Sequence, residues 1–194
     1  MTRTLKRGHD MSNAKPKWQR INQKTVYKGR VHVVEHDVRL PNGQTSKYEV
    51  EHGDNGAAAI LIKTKNNEVI LTHQYRFPLD AWIHDLPGGG KQTGETYEQA
   101  IARECQEEVG IVPNKLVKLV TFYPNPGRTD WPVQLYYCDD YKESKSDFYD
   151  AFEDTERVVM PIAKLQFLID GGKIVDPSLL IAWYTARHKG YIQL

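Results

Sequence analysis

The chain has 194 residues, of which 40% are hydrophobic, so it is long enough for one domain with an ample core and too apolar to be disordered throughout. Its 26 Lys and Arg residues nearly balance its 25 Asp and Glu residues, which argues against a generic nucleic-acid binder. No apolar run approaches the roughly 18 residues of a membrane-spanning helix, and no apolar stretch follows the basic N-terminus as in a secretory signal. We therefore expect a cytoplasmic protein with no nucleic-acid or membrane partner.

The N-terminal part of the chain indicates a polar tail followed by a small sheet. Residues 1–17 are basic and aperiodic, which predicts a flexible tail. A β-branched run at 25–34 is followed by the turn motif PNG at 41–43 and by a second run at 47–50. We predict an antiparallel sheet of two or three strands within residues 18–53.

The remainder, residues 54–194, is predicted to alternate strands with three helices. Buried strands are predicted at 57–62, 69–71, 116–122 and 133–137. Helices are predicted at 97–109, 162–169 and 177–188. The acidic, aperiodic segment 139–154 is predicted to be a long loop. Mixed strands with one central and two terminal helices indicate an α/β sandwich.

The residues with the clearest chemical signal lie in the segment 86–111, which reads LPGGGKQTGETYEQAIARECQEEVGI. Three successive glycines allow a close approach of the backbone to a ligand. In the helix that follows, Glu104 and Glu108 lie about 40° apart at the edge of the apolar stripe, with Glu107 nearby. Like charges at this spacing repel by about 0.2–0.5 kcal/mol for each pair.

A divalent cation would relieve this repulsion, because hard oxygen ligands on one face suit Mg²⁺ or Mn²⁺. The alternative is a glutamate-rich helix exposed to solvent. The preceding glycine loop, together with Arg103 directly before Glu104, favours the metal site.

The spacing of these residues resembles the Nudix box, G-x5-E-x7-R-E-U-x-E-E-x-G-U, at every fixed position from Gly89 to Ile111. Cys105 stands where a bulkier aliphatic residue is usual. The resemblance implies a Nudix-type α/β/α sandwich with a small N-terminal antiparallel β-sheet, and hydrolysis of a nucleoside diphosphate linked to another group. It also implies a site in which Glu104 and Glu108 are the main metal ligands, with Glu107, Glu95 and the carbonyl of Gly88 contributing. Glu107 and Arg103 are the box residues expected to act in catalysis, Arg103 by orienting a glutamate.

Two flanking motifs narrow the resemblance to ADP-ribose and nucleotide-sugar pyrophosphatases. The motif HQYR at 73–76 precedes the box, and YPNPG at 123–127 follows it. By this resemblance Arg76 would contact a diphosphate or a terminal ribose, for which its planar guanidinium is suited, and Pro126 would belong to the substrate region. The N-terminal sheet is similar to the dimerisation region of these enzymes, so a homodimer is expected, with Tyr48 available to stack on the base.

One position departs from the ADP-ribose hydrolases. They often carry arginine just before the glycine that opens the first sandwich strand, and this chain has His52 there. A histidine has less reach and no permanent charge. ADP-ribose and sugar nucleotides such as GDP-mannose or UDP-glucose therefore both remain open as substrates.

Diphosphate cleavage also requires a group that accepts a proton from the attacking water. In the related pyrophosphatases a carboxylate on a loop after the last sandwich strands has this role. The candidates are Glu153, Asp154 and Glu156. Glu153 ranks first as the base, and Glu156 follows as a base or an additional metal ligand. Two other functions remain open, namely hydrolysis of dinucleoside polyphosphates or nucleoside triphosphates, and nucleotide sensing without catalysis.

Overall fold

The alternating residues near the N-terminus form three strands, β1 (Gln19–Lys28), β2 (His32–Arg39) and β3 (Thr45–His52). They form an antiparallel sheet in that order. The computed structural model describes residues 15–29, 31–53, 55–144 and 155–194. By its contacts the chain divides into two units, Met1–His52 and Gly53–Leu194, and the three strands belong to the first.

The small sheet confirms the prediction of an N-terminal antiparallel sheet. The prediction of one continuous run at 25–34 was wrong, because β1 ends at Lys28 and β2 begins at His32. A turn interrupts it, in which the Gly29 N–H donates to the carbonyl of Val31 at 2.9 Å. Strand β1 begins six residues before Thr25 because it pairs along the whole of β2, with Gln19 opposite Arg39. Of the predicted tail, only residues 15–17 lie within the described chain, and they belong to no helix or strand.

The second unit contains nine strands and three helices among its described residues. The strands are β4 (Ala57–Lys63), β5 (Glu68–Arg76), β6 (Ala81–Asp85), β7 (Gly88–Gly90), β8 (Ile111–Pro113), β9 (Val117–Phe122), β10 (Val133–Cys138), β11 (Tyr141–Glu143) and β12 (Thr155–Pro161). The helices are α1 (Tyr97–Val109), α2 (Ile162–Asp170) and α3 (Pro177–His188). A short 3-10 helix, Phe77–Leu79, connects β5 to β6.

Seven of these strands form one mixed sheet in the order β12-β5-β4-β10-β9, with β6 paired to β5 and β7 paired to β4. Strands β4 and β10 run parallel, and the other pairs are antiparallel. Strands β8 and β11 form a separate antiparallel pair.

Helices cover both faces of the large sheet because its central strands are buried on both sides. On β4, Ala59 and Leu61 pack in the cluster that contains α2 and α3. Their neighbours Ala58, Ile60 and Ile62 pack in the cluster that contains α1. This alternation produces three layers, which confirms the predicted α/β/α sandwich.

The helices match their predicted positions, whereas several strands were not predicted. Strands β6, β7, β8 and β12 lack an alternating apolar pattern, and they form because partners distant in the sequence supply their hydrogen bonds. The predicted loop 139–154 was wrong at β11, which pairs with β8. The part of that loop at 145–154 lies outside the described residues.

Candidate active site

Helix α1 presents the glutamates of the box at a boundary between the core and the solvent. Thr96 caps its N-terminus, and Gly110 ends it in the left-handed conformation with φ of 65°. Ile101 and Cys105 are fully buried against the sheet. This orientation places Glu104 at the edge of the core with only 9% of the residue exposed, a position where a carboxylate needs compensating partners.

Strand β7, whose three glycines Gly88–Gly90 we call the glycine turn, supplies some of these contacts by bringing backbone against the helix. The Gly88 N–H donates to Oε2 of Glu108 at 2.7 Å. A Cβ atom on Gly89 would lie 2.5 Å from Oε1 of Glu104, and one on Gly88 would lie 2.3 Å from the carbonyl oxygen of Ala58. A side chain at 88 would clash with the backbone of β4, and one at 89 would displace the Glu104 carboxylate, so the two glycines allow β7 to lie next to both β4 and Glu104.

Arg103 holds three of the glutamates together. Its Nε donates to Oε1 of Glu95 at 3.0 Å, and its Nη1 donates to Oε1 of Glu104 at 2.8 Å and to Oε2 of Glu107 at 2.9 Å. Its Nη2 donates to the carbonyl of Gly90 at 3.1 Å. Arg103 thus orients three glutamates, where the sequence predicted one, and connects them to the glycine turn.

These contacts change the proton affinities of several groups. The hydrogen bond from Arg103 lowers the pKa of the Glu95 carboxyl below its ordinary 4.5, and a backbone N–H from Gln92 lowers it further. The bond to Glu95 raises the pKa of Arg103. Burial raises the pKa of the Cys105 thiol, which keeps it protonated and unsuited to act as a nucleophile.

The donor set fits a hard divalent cation in its chemistry. Glu104, Glu107, Glu108 and the backbone carbonyl of Gly88 would be its oxygen ligands, and the missing side chain of Gly89 lets the Glu104 carboxylate lie against the backbone of β7. Within the described ranges, no group of three His, Cys, Asp or Glu side chains is gathered in a metal-holding arrangement. Arg103 engages Oε1 of Glu104 and Oε2 of Glu107, so a cation bound there would share these carboxylates with the guanidinium or displace it.

Arg76, predicted to bind substrate, ends strand β5 and is held by Asp85 at the end of β6. Its Nε donates to Oδ2 of Asp85 at 3.2 Å, and Nη2 donates to the same oxygen. The Thr72 hydroxyl donates to Oδ1 of Asp85 at 2.5 Å. The Asp85 side chain is 4% exposed, whereas that of Arg76 is 47% exposed, so the pair joins a buried acid to a solvent-accessible base.

The other predicted substrate residues lie in two different units. Tyr48 and His52 belong to the first unit. The ring centroids of Tyr48 and Trp18 lie 6.0 Å apart in an edge-on arrangement. The Nε2 atoms of His52 and His36 lie 3.3 Å apart. Pro126 belongs to the second unit and lies in an exposed turn.

The candidate base Glu156 lies near the beginning of β12, opposite His73 of β5. Its Oε2 is 3.7 Å from Nδ1 of that histidine. Alternate residues of β12 after it, Val158 and Met160, pack in the cluster of α2 and α3, whereas α1 packs in the other cluster. The structure therefore pairs Glu156 with His73, and the alternation along β12 assigns Glu156 to the face of the sheet that packs with α2 and α3. Glu153, the first candidate, lies outside the described residues.

Sequence analysis did not identify Asp85 or Thr72 as part of this region. Asp85 follows Ile83 by two residues and stands directly before Leu86-Pro87-Gly88, and a charge so near apolar residues was the available signal. Its partners were hidden because Thr72 and Asp85 are opposite each other only in the folded β5–β6 pair.

Comparison with known proteins identifies the family to which this chain belongs. The NUDIX domain family matches residues 54–180. An ADP-ribose pyrophosphatase of Bacillus subtilis is 36% identical over 178 residues, which cover 90% of this chain and 91% of that protein. The chain belongs to the Nudix family. This confirms the family resemblance of the box and of its flanking motifs.

Two further proteins similar to this Nudix chain share most of its length. A methanol dehydrogenase activator of Bacillus methanolicus is 29% identical over 177 residues, covering 87% of this chain and 95% of that protein. A crystal structure of an ADP compounds hydrolase has a TM-score of 0.79 at 23% identity and covers 93% of this chain. The last comparison supports the fold.

Proposed function

We propose that this Nudix protein hydrolyses the diphosphate bond of ADP-ribose or of nucleoside diphosphate sugars, giving a nucleoside monophosphate and a sugar phosphate. The observation that carries the proposal is a box with every glutamate present, in a chain 36% identical over 90% of its length to an ADP-ribose pyrophosphatase. The arrangement of Glu104, Glu107 and Glu108 around the glycine turn agrees with this chemistry.

The metal-holding residues of this proposal are Glu104, Glu107, Glu108 and the carbonyl of Gly88, with Mg²⁺ as the ion and Mn²⁺ as a substitute. A bound divalent cation neutralises charge on the diphosphate and lowers the pKa of the attacking water. Glu95 contributes indirectly, because both of its oxygens are engaged, one by Arg103 and the other by Arg103 and the Gln92 N–H. Arg103 keeps the glutamates oriented.

The protein groups that act on the substrate are proposed from both flanks of the box. Arg76 binds the diphosphate or the terminal ribose, and Tyr48, His52 and Pro126 contribute to substrate recognition. Glu153 accepts the proton of the attacking water. Glu156 remains the second candidate, and its contact with His73 favours Glu153 over it.

The proposal includes a cytoplasmic homodimer. The support is the likeness to pyrophosphatases and the exposed strand β1, all of whose residues are solvent-accessible at the edge of the small sheet. No described helix has the length and apolar character needed to span a membrane. Sedimentation at micromolar concentration tests the dimer, and a species of monomer mass would contradict it.

A substrate panel with identified products tests the activity. ADP-ribose, GDP-mannose, UDP-glucose, a diadenosine polyphosphate and a nucleoside triphosphate are compared by kcat/KM in Mg²⁺. We expect preference for one of the first three, and Glu108→Gln should lower its kcat at least 100-fold. Preference for either of the last two would support the polyphosphate alternative. Tight binding without turnover would support a nucleotide sensor.

A further inference from the structure

The buried acid Asp85 is positioned to control the direction in which Arg76 donates hydrogen bonds. Two nitrogens of the guanidinium, Nε and Nη2, donate to its Oδ2 oxygen. The second oxygen, Oδ1, accepts from the hydroxyl of Thr72 at 2.5 Å. Both oxygens of the carboxylate therefore have a donor, which fixes its plane and, through it, one edge of the guanidinium.

Burial makes this pair different from a surface ion pair. A surface pair stabilises a protein by at most about 1 kcal/mol, and its side chains change partners readily. Asp85 is 4% exposed, so the carboxylate depends on its protein partners for compensation. The arginine is consequently restrained, although 47% of its side chain is exposed.

The restraint leaves one side of Arg76 available to a ligand. Within the described residues its Nη1 donates to no protein group, while Nε and Nη2 are occupied by Asp85. A planar guanidinium fixed at one edge and open at another suits an oxygen-rich anion. A lysine, which has a single ammonium group, has no equivalent second edge.

Asp85 is also close in sequence to the glycine turn. Asp85 precedes Gly88 by three residues, which span at most about 11 Å when extended. Gly88 in turn donates to Glu108. A change at Asp85 that keeps the size of the side chain, such as Asp85→Asn, is therefore needed to remove the anchor of Arg76 without moving this backbone.

We infer that Asp85 is a positioning residue that, supported by Thr72, orients the free edge of Arg76 toward the diphosphate of the substrate. The inference rests on the proposed function, since it assigns to Arg76 the diphosphate contact. Asp85 itself touches no substrate. Its effect should pass entirely through Arg76.

A double-mutant cycle of Asp85→Asn and Arg76→Ala tests this route, with kcat and KM measured for ADP-ribose in Mg²⁺. Each single variant should raise KM about tenfold or more and change kcat less than about threefold. The double variant should be no worse than Arg76→Ala alone, because the acid then has nothing to orient. Fully additive losses, or a KM for Asp85→Asn equal to that of the wild type, would overturn the inference.

Further variants separate positioning from loss of structure. Thr72→Val keeps the shape and removes the hydroxyl, and it should raise KM by a smaller factor, about threefold. Asp85→Glu keeps the charge and should recover part of the affinity lost in Asp85→Asn. Tyr75 is the neighbouring residue on β5, and its hydroxyl donates to Asp80, so Tyr75→Phe should leave kcat and KM unchanged. If Asp85→Asn does not fold, Thr72→Val and Asp85→Glu give the decisive comparison, and unchanged KM in both would overturn the inference.

Calorimetric binding of ADP keeps this test independent of turnover. If the wild type binds ADP but hydrolyses nothing in the substrate panel, the proposed activity fails. The double-mutant cycle of Asp85→Asn and Arg76→Ala is then calculated from the Kd values for ADP. If the wild type hydrolyses ADP-ribose and the cycle is additive, only the inference fails. If ADP-ribose and ADP both fail to bind, the inference fails as well.

Discussion

Glu104 lies so close to the backbone of Gly89 that a Cβ atom on the glycine would be 2.5 Å from Oε1 of the glutamate. The adjacent Gly90 differs, since a Cβ atom there would meet no atom within 4 Å. The two glycines are adjacent in the sequence but have unequal steric demands. They form a matched pair for testing how strictly the position of Glu104 matters.

We expect Gly89→Ala to lower kcat/KM on the order of 100-fold, because the methyl group must displace a proposed metal ligand by a substantial fraction of an ångström. Gly90→Ala should stay within about threefold of the wild type. The measurement is steady-state kinetics at saturating Mg²⁺, with thermal unfolding to verify that both variants fold. Equal losses in the two variants would mean that the turn tolerates no side chain at all, and the specific role of Glu104 would lose this support.

Binding of the cation should also be visible without any substrate. A ligand at 100 times its Kd stabilises the folded state by about 2.7 kcal/mol, which for a chain of this size raises Tm by roughly 5 to 10 °C. We expect such a Mg²⁺-dependent rise for the wild type and less than half of it for Glu104→Gln.

Glu98→Gln is the control for this measurement, since Glu98 lies on the same helix but accepts a hydrogen bond from Tyr136. Whatever its Tm before Mg²⁺ is added, the rise produced by Mg²⁺ should equal that of the wild type. A full rise in both variants would place the bound cation away from the box glutamates.

The predictable parts of this protein are those determined by short stretches of chain. Helix α1 is predicted at both ends because its apolar period and Gly110 are local signals, and α3 is predicted from the Asp176-Pro177 pair. The glutamates of the box are identified by spacing alone. What spacing does not reveal is that Arg103 bonds to three of them at once.

The parts that were not predicted depend on pairing between distant segments. Strand β7 contains only glycines and forms because β4 lies beside it. The pairing of β12 with β5 places Glu156 opposite His73, and no local pattern in the acidic segment indicates this contact. The Thr72–Asp85–Arg76 contacts likewise require the β5–β6 register. In each case the deciding partner is elsewhere in the sequence.

Asp176, the N-cap of α3, should give the protein a pH-dependent stability. Burial, together with the charge of Asp85, raises its pKa from 3.8 to about 6. Between these values the folded state binds more protons than the unfolded state, so the free energy of unfolding falls as pH rises from about 4 to 6. Since one pKa unit corresponds to about 1.4 kcal/mol, the loss above pH 6 amounts to roughly 3 kcal/mol.

The variant Asp176→Asn should abolish this loss, because asparagine can still accept the hydrogen bond from the Leu179 N–H that Asp176 accepts at 2.7 Å. At pH 7.5 its Tm should exceed that of the wild type by several degrees, and the difference should diminish toward pH 4. Asp176→Ala, which also removes the cap, should be less stable than Asp176→Asn by about 1 kcal/mol. A Tm of Asp176→Asn below that of the wild type at pH 7.5 would show that the charge stabilises this site.

The choice between the two candidate bases can be decided by a pair of conservative variants. Glu156 contacts His73 and precedes residues that pack with α2 and α3, on the side of the sheet away from α1. We therefore expect Glu156→Gln to change kcat less than about fivefold. Glu153→Gln should lower kcat by about 10²- to 10⁴-fold with a small change in KM, which is the usual range for removal of a general base.

The pH dependence of kcat gives an independent check on this assignment. If Glu153 is the base, the acidic limb of the wild-type profile should be lost in Glu153→Gln and retained in Glu156→Gln, because only the group that accepts the proton must be ionised. Rescue of the Glu153→Gln rate at high pH, where hydroxide replaces the missing base, would strengthen the assignment. A large loss in Glu156→Gln with Glu153→Gln unaffected would reverse it, and Glu156 would then have to leave His73 to reach the site.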